Sequence, residues 1–587
     1  MRKPTWGRAP THLAAALPRS HRKLVTLLAG TATLLAAACG GTTSAGSSTA
    51  SSSSVGGKLV IDSYMGTTWP CTFNPFNPAL NFLTVGFTYE TLEYINDLKA
   101  SSSGSSLAQP WLATGSAWSN NYETLTFTIR SGVKWNDGQP FSAADVAYTF
   151  NAMTTSAALD LNALWKADGG PLTAVTAQGS NQVAFTFDTP AQTYFYYVAD
   201  QIPIVPEHIW STLDQTKLAS YTDSHPIGTG PYKVGSCTQA NVKYVPNTDY
   251  WQSTPGHPVP RIAEVDYPSF LGNDQANLYL TEGQAQWGAQ PVPNIKTAYL
   301  NKGPDRYMWF PPVLNVGIFP NLDNPLLSNV AVRQAISLAL DRSNVATRGE
   351  SGYEPAASQT GIITPTYQSW YDKSIDNTAY DPTKAEQVLE AAGFTKGSDG
   401  IYQNAQGQQL SFTLQTVSGF GDWDASLVVI TQELKAVGIQ ITVEDENSGP
   451  YTTNLESGNF QLAYAGSGGP YTAGGPTPYY ELRGDLYSSN IGGTNYSHYN
   501  SPSTDALFNA YAATTNVSQQ KQIIDQIEQV MVSDYPFIPV TQGVDWYTYD
   551  ASHIGGWPTA SDPYAQPAIY APLEDAGVIL DHLYPTN

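Results

Sequence analysis

Residues 410–444 admit one reading. Residues 410–417 are a run of strand formers, and residues 424–437 repeat their apolar positions at helical spacing and stop at Gly438. Residues 439–444 then read as a second strand. The helix and its two short loops leave enough chain for a parallel strand–helix–strand crossover. This makes the second half of the chain α/β, and its other segments agree. Ser328 or Asn329 caps a helix carrying Val332, Ala335, Ile336, Ala339 and Leu340. Asp381-Pro382 opens another helix that ends at Gly393. A helix over 519–532 precedes an apolar strand at 537–540. In the first half, residues 58–62, 125–130 and 183–187 read as strands. Ser142-Ala143-Ala144-Asp145 begins a helix through Phe150 in the manner of a capping box. No internal repeat is visible.

A length of 587 residues predicts two to four domains. Only 13% of residues are charged, 12% are aromatic, and the net charge is −22. With 41% hydrophobic residues and a mean hydropathy of −0.26, the chain is a folded globular protein. A nucleic-acid binder needs a basic face to track phosphates, and basic residues are scarce, so that class is excluded.

The first residues follow different rules. Arg2, Lys3, Arg8, Arg19, Arg22 and Lys23 precede any acidic residue, and an apolar stretch over 24–38 runs into Cys39. This predicts a signal peptide over 1–38. Three alanines before Cys39 resemble a bacterial lipobox, whose Cys is diacylated. Leu35 sits one place upstream of the usual position, and an ordinary cut near Ala38 is the alternative. Residues 39–57 would then be a lipidated Cys and a flexible Gly/Ser/Thr tether. Two acyl chains hold a protein stably on a membrane. In an exported chain Cys71 and Cys237 are either one disulfide or two buried thiols.

Motifs for chemistry are missing. There is no Walker loop, Gly-x-Gly-x-x-Gly, His-Glu-x-x-His or Gly-x-Ser-x-Gly. His208, His225, His257, His498, His553 and His582 are scattered, and His498 reads as a surface residue. No catalytic residue, cofactor or metal is expected. Carboxylate pairs for glycoside hydrolysis carry little weight among 49 acids. Aromatics in loops stand out instead: Trp69, Trp287, Trp423, Trp546 and Trp557. Taken singly, each fits a core edge better than a site. Trp423 is the exception, because it joins the end of a parallel strand to its helix, where α/β sheets collect ligands.

The order of segments resembles the extracytoplasmic solute-binding proteins of ABC importers, family 5. The most specific stretch is Gln109-Pro110-Trp111-Leu112-Ala113, followed by Gly132-Val133-Lys134-Trp135-Asn136-Asp137-Gly138 through Asp145-Val146. Ile227-Gly228-Thr229-Gly230-Pro231-Tyr232, Val332-Arg333-Gln334-Ala335 and Tyr380-Asp381-Pro382 follow in the same order. The resemblance implies a two-lobed periplasmic-binding-protein-like fold of type II, in the large form. Lobe I would hold 58–312 and 541–587, with an extra subdomain at about 80–205, and lobe II 313–540. A hinge would pass near 315–319 and 538–544. Peptide-binding members carry an Asp in lobe II for the peptide ammonium. Residues 460–471 here have no acid, and the next is Glu481. Gly555-Gly556-Trp557-Pro558-Thr559 and Asn495-Tyr496-Ser497-His498-Tyr499 resemble a branch that binds cellobiose and other β-oligosaccharides. The expectation is a lipid-anchored monomer that passes a β-oligosaccharide, or alternatively a di- or oligopeptide, to ABC permease subunits. A secreted glycoside hydrolase is a remote alternative. Trp69, Trp423, Tyr464 and Trp546 are expected to stack on the ligand, and Asn74 and Asp422 to bond it.

Overall fold

The computed structural model describes residues 55–586 except 64–67, 78–80, 100–106, 161, 257, 378, 469–474 and 572–573. The expected leader, Cys39, most of the tether and His257 lie outside these residues. No helix among the described residues is long and apolar enough to cross a membrane.

Three sheets organise the chain. The first has seven strands in the order Arg306–Met308, Thr548–Asp550, Trp287–Gly288, Gly56–Asp62, Ile262–Pro268, Asn241–Pro246 and Tyr232–Thr238. Its Gly56–Asp62 strand starts two residues inside the expected tether. The second has five strands: Gln440–Glu446, Ser411–Val417, Leu462–Gly466, Pro312–Pro320 and Ile538–Val544. The third is an antiparallel sheet of Ala113–Ser119, Thr124–Ile129, Gln182–Phe187 and Leu172–Gln178, inserted between strands of the first.

The crossover forms as its pattern dictates. Ser411–Val417 and Gln440–Glu446 run parallel from Ser411 opposite Gln440 to Val417 opposite Glu446. Gly438, at φ +80°, turns the chain into the second strand. The intervening helix spans Gly421–Ala436, three residues longer at its start than its apolar spacing predicts. Its first turn therefore contains Asp422 and Trp423, which sequence placed in the loop. Ser142 caps Ala143–Met153 in a full capping box: Asp145 accepts from the Ser142 N–H at 2.8 Å, and Ser142 Oγ accepts from Ala144 N–H at 3.2 Å. Val146, Phe150 and Met153 face inward from that helix. The other helices expected from the sequence fall at Val330–Ala339, Pro382–Ala391 and Val517–Asp534, capped by Asn329, Asp381 and Asn516.

The seven- and five-stranded sheets are joined side by side. Pro312–Pro320 leaves the Arg306–Met308 strand for the five-stranded sheet, and Ile538–Val544 returns toward Thr548–Asp550. The two pair antiparallel, from Pro312 opposite Val544 to Ile318 opposite Ile538, with register shifts on either side of Leu314–Val316. Gly317 sits at the second shift, where a Cβ would lie 2.2 Å from the Ile538 carbonyl oxygen, so the close approach excludes any side chain.

Cys71, in the loop after the first strand, is disulfide-bonded to Cys237 on Tyr232–Thr238, across 166 residues of sequence. A cross-link over a loop this long stabilises mainly by restricting the unfolded chain, by about 2–4 kcal/mol. The paired Cys71→Ser, Cys237→Ser variant should therefore melt lower than wild type in non-reducing buffer and equal to it in reductant. Equal melting in both buffers would show that the bridge contributes nothing.

The seven-stranded half buries several carboxylates on neutral donors. Glu90 accepts from Trp251 Nε1 at 3.1 Å, Asp97 from Tyr196 OH at 2.7 Å and Asp575 from Tyr94 OH at 2.7 Å. Burial pushes Glu90 and Asp97 up to about 7 and also raises Asp575 and Asp581. The folded chain thus holds protons that the unfolded chain releases above about pH 4–4.5. Stability from these groups is present at low pH and is lost as pH rises through about 7. The melting temperature at pH 5 should exceed that at pH 8, and the reverse order would contradict this assignment.

Candidate ligand cleft

A cavity of about 300 Å³ opens where the two joining strands leave one sheet for the other. Its floor is Leu314 and Val316 from one strand and Gly543 and Val544 from the other. One wall, from the seven-stranded half, presents Asn273, Gln290 and Tyr570. The opposite wall presents Val417, Phe420, Asp422 and Trp423, with Glu354 and Trp546 beside them.

Aromatic rings fix one another here. Trp423 meets Phe420 edge-on at 5.1 Å and Tyr464 at 5.4 Å. Trp546 meets Phe310 at 4.9 Å and Tyr353 at 6.2 Å. Its backbone N–H donates to Tyr570 OH at 3.0 Å, tying two lining residues together.

The cleft is acidic, with no Lys, Arg or His in its lining among the described residues. Glu354 Oε2 accepts from Thr541 Oγ1 on the joining strand at 2.6 Å. Burial, reinforced by the charge of Asp422, pushes Glu354 up to about 8. Burial likewise raises Asp422 to about 6. Asp422 Oδ1 is buried without a hydrogen-bond partner among the described residues. Just behind, Glu350 Oε1 accepts from Ser426 Oγ at 2.5 Å. A buried acceptor left unmade is costly, and a donor reaching Asp422 Oδ1 would relieve it.

Of the six residues expected at the site, the structure brings Asp422, Trp423 and Trp546 together. The other three lie elsewhere. Trp69 is fully buried, and its Nε1 donates to the Tyr267 carbonyl at 2.7 Å. Asn74 donates to the Leu218 and Tyr221 carbonyls at 2.8 and 3.1 Å, closing a turn of the main chain. Tyr464 is on a central strand, buried behind Trp423. Trp287 and Trp557 are core residues whose Nε1 atoms donate to the Pro567 and Ile554 carbonyls. His498 pairs with Asp323 at 2.7 Å. Glu354, Phe420 and Tyr570 escaped the sequence reading. Only Phe420 carried a signal, its place in the same strand-end loop as Trp423. Glu481, the first acid after 460–471, turns inward and accepts from Asn315 Nδ2 at 3.0 Å.

Residues 108–488 match the family model for bacterial extracellular solute-binding proteins, family 5. The chain belongs to that family. It is 26% identical over 426 residues to the oligopeptide-binding protein AppA of Bacillus subtilis, covering 70% of this chain and 73% of that protein. The mannohexaose-bound form of a periplasmic oligopeptide-binding protein from Thermotoga maritima superposes with a TM-score of 0.80 at 23% identity, covering 90% of this chain and 99% of that one. Bacillus subtilis AppA with a nonapeptide gives 0.74 at 23%, covering 91% and 100%. The fold is thus the two-lobed periplasmic-binding-protein fold, in its large form with an extra subdomain. The cavity of this family 5 protein is lined from both its seven-stranded and its five-stranded halves.

Trp423 and Trp69 separate wall from core. Trp423→Ala should weaken solute binding by about 1–3 kcal/mol with little change in melting. Trp69→Ala should destabilise the fold by about 3–5 kcal/mol. Isothermal titration beside thermal melts would check both, and unchanged affinity in folded Trp423→Ala would remove Trp423 from the site.

Proposed function

We propose that this protein captures a short neutral β-oligosaccharide, such as cellobiose, between its lobes. It then hands the sugar unaltered to an ABC permease. The observation that carries this reading is the lining itself: ring faces of Trp423, Trp546 and Phe420 beside two carboxylates with no base. Sugar rings stack on such faces, and their hydroxyls donate to buried acceptors. The volume suits a short segment of an oligomer. The Thermotoga protein bound to mannohexaose supports a saccharide in this fold. A diacylated Cys39 would hold the protein, as a monomer, on the outer face of the membrane.

Asp422 favours a second reading, a di- or oligopeptide. The lobe II segment 460–471 carries no acid, yet Asp422 and Glu354 reach the cleft from other segments. An ammonium there would find its counter-charge in Asp422. The Bacillus protein with its nonapeptide points the same way.

A thermal-shift screen of the mature chain separates the two. Cello-, xylo- and manno-oligosaccharides are compared with di- to pentapeptides, since a ligand of the folded state raises stability by about 2.7 kcal/mol at a hundredfold excess over Kd. We expect one sugar series to raise the melting temperature and Asp422→Asn to keep most of that rise. A rise with peptides alone, abolished by Asp422→Asn, would replace the saccharide reading with the peptide one.

A further inference from the structure

A second hollow lies apart from the cleft and shares no lining residue with it. It is an open groove of about 840 Å³ between the extra subdomain and lobe II. Tyr194, Tyr197 and Lys166 line it from the subdomain side, and Arg483, Tyr487 and Asn509 from lobe II. Contacts hold the two sides together: Tyr480 OH donates to the Thr193 carbonyl at 3.0 Å, and Tyr480 packs 5.0 Å from Tyr196.

Arg483 is the unusual residue. Two other arginines of lobe II are buried, and both are saturated by the fold. Arg333 donates to the Leu327 carbonyl at 2.7 Å and the Tyr535 carbonyl at 3.1 Å. Arg342 donates to the Pro539 carbonyl at 2.6 Å and to Gln359 Oε1 at 3.0 Å. The half-buried Arg483 guanidinium donates to no carbonyl and pairs with no carboxylate among the described residues. Its face lies 4.4 Å from the centroid of Tyr487, and the phenols of Tyr194, Tyr197 and Tyr479 lie close by. Burial raises Tyr197 and pushes Tyr479 up to about 12, so the phenols are neutral and supply no counter-charge. Lys166, at the rim, is paired with Asp188 at 2.6 Å. In a chain of net charge −22, a guanidinium without an anion is a vacancy for one. Its planar fork matches a carboxylate or phosphate, and the surrounding phenol and amide groups suit a hydroxylated body.

We propose that this groove is a second binding site, for a small anionic sugar whose carboxylate or phosphate is held by Arg483 against Tyr487. The site stands independently of what occupies the main cleft.

The test titrates the mature chain with D-glucuronate, D-glucose 6-phosphate and D-glucose, following heat or tyrosine fluorescence. At least one anion should bind at least tenfold more tightly than glucose, and which one does identifies carboxylate or phosphate as the recognised group. Arg483→Gln should abolish that preference, while Trp423→Ala should leave it intact. Because Arg483→Gln removes a partly buried group, Asn509→Asp serves as a second variant. It keeps the acceptor for Tyr487 OH, 3.0 Å away, and sets a negative charge in the groove. It too should weaken the anion by at least tenfold. Anions that bind no better than glucose, or a preference that survives both folded variants, would overturn the proposal. Loss of the preference in Trp423→Ala would also overturn it, by placing the anion in the main cleft. None of these results depends on the saccharide and peptide screen, so the two readings can fail separately.

Discussion

Everything in this molecule hangs from the antiparallel pairing of Pro312–Pro320 with Ile538–Val544. The chain passes from the seven-stranded sheet to the five-stranded sheet along the first strand and returns along the second, and the two are hydrogen-bonded to each other. Such a pair bends more readily than it parts, because parting would break several main-chain hydrogen bonds together. Its register shifts bring the backbones so close at Gly317 that only glycine fits. Asn315, in the same strand, has its N–H 2.9 Å from Ser467 Oγ and its side chain on Glu481 and the Gly361 carbonyl. The cleft follows from this crossing: its floor is Leu314 and Val316 of one strand and Gly543 and Val544 of the other, at the end of the pair nearest the seven-stranded sheet.

Electrostatics then decide what the cleft favours. Glu354 and Asp422 are held out of water in each other's field, and no basic side chain among the described residues lines the cavity. Both carboxyls are driven toward neutrality, and an unpaired oxygen remains on Asp422. A ligand that brings a hydroxyl or ammonium donor to that oxygen relieves this. The aromatic rings add flat apolar faces beside the two acids.

The crossover at 411–446, the Ser142 capping box and the caps at Asn329 and Asp381 were legible because each is written within a few neighbouring residues. The place of Trp423 beside the cavity was legible for a related reason: the end of a parallel strand can be located from local pattern. Trp69 and Asn74 misled because loop residues beside Pro and Asn look alike in sequence whether they face a solute or satisfy distant carbonyls. Asn74 does the latter with residues 144 and 147 positions away. Glu354 and Tyr570 reach the cleft from segments far apart in the chain, and no short window carries that information. The absence of an acid in 460–471 was read correctly, but it said nothing about acids arriving from elsewhere.

The helix Tyr479–Leu486 shows how closely the parts are coupled in space. Glu481 and Asp485, four residues apart, share one face and turn inward. Glu481 holds Asn315 of the crossing strand, and Asp485 accepts from Gly468 N–H at 2.8 Å. Arg483, two residues after Glu481, projects from a different face into the groove against the extra subdomain. The crossing strands and the groove are thus served by two faces of a single eight-residue helix. A displacement of that helix large enough to move Arg483 relative to Tyr194 and Tyr197 also moves Glu481 relative to Asn315. The buried hydrogen bonds of Glu481 resist such a displacement, because breaking them would leave a desolvated carboxyl without its donors. That places the guanidinium on one of the better-anchored segments of lobe II, as recognition of a small anion by a single planar group requires.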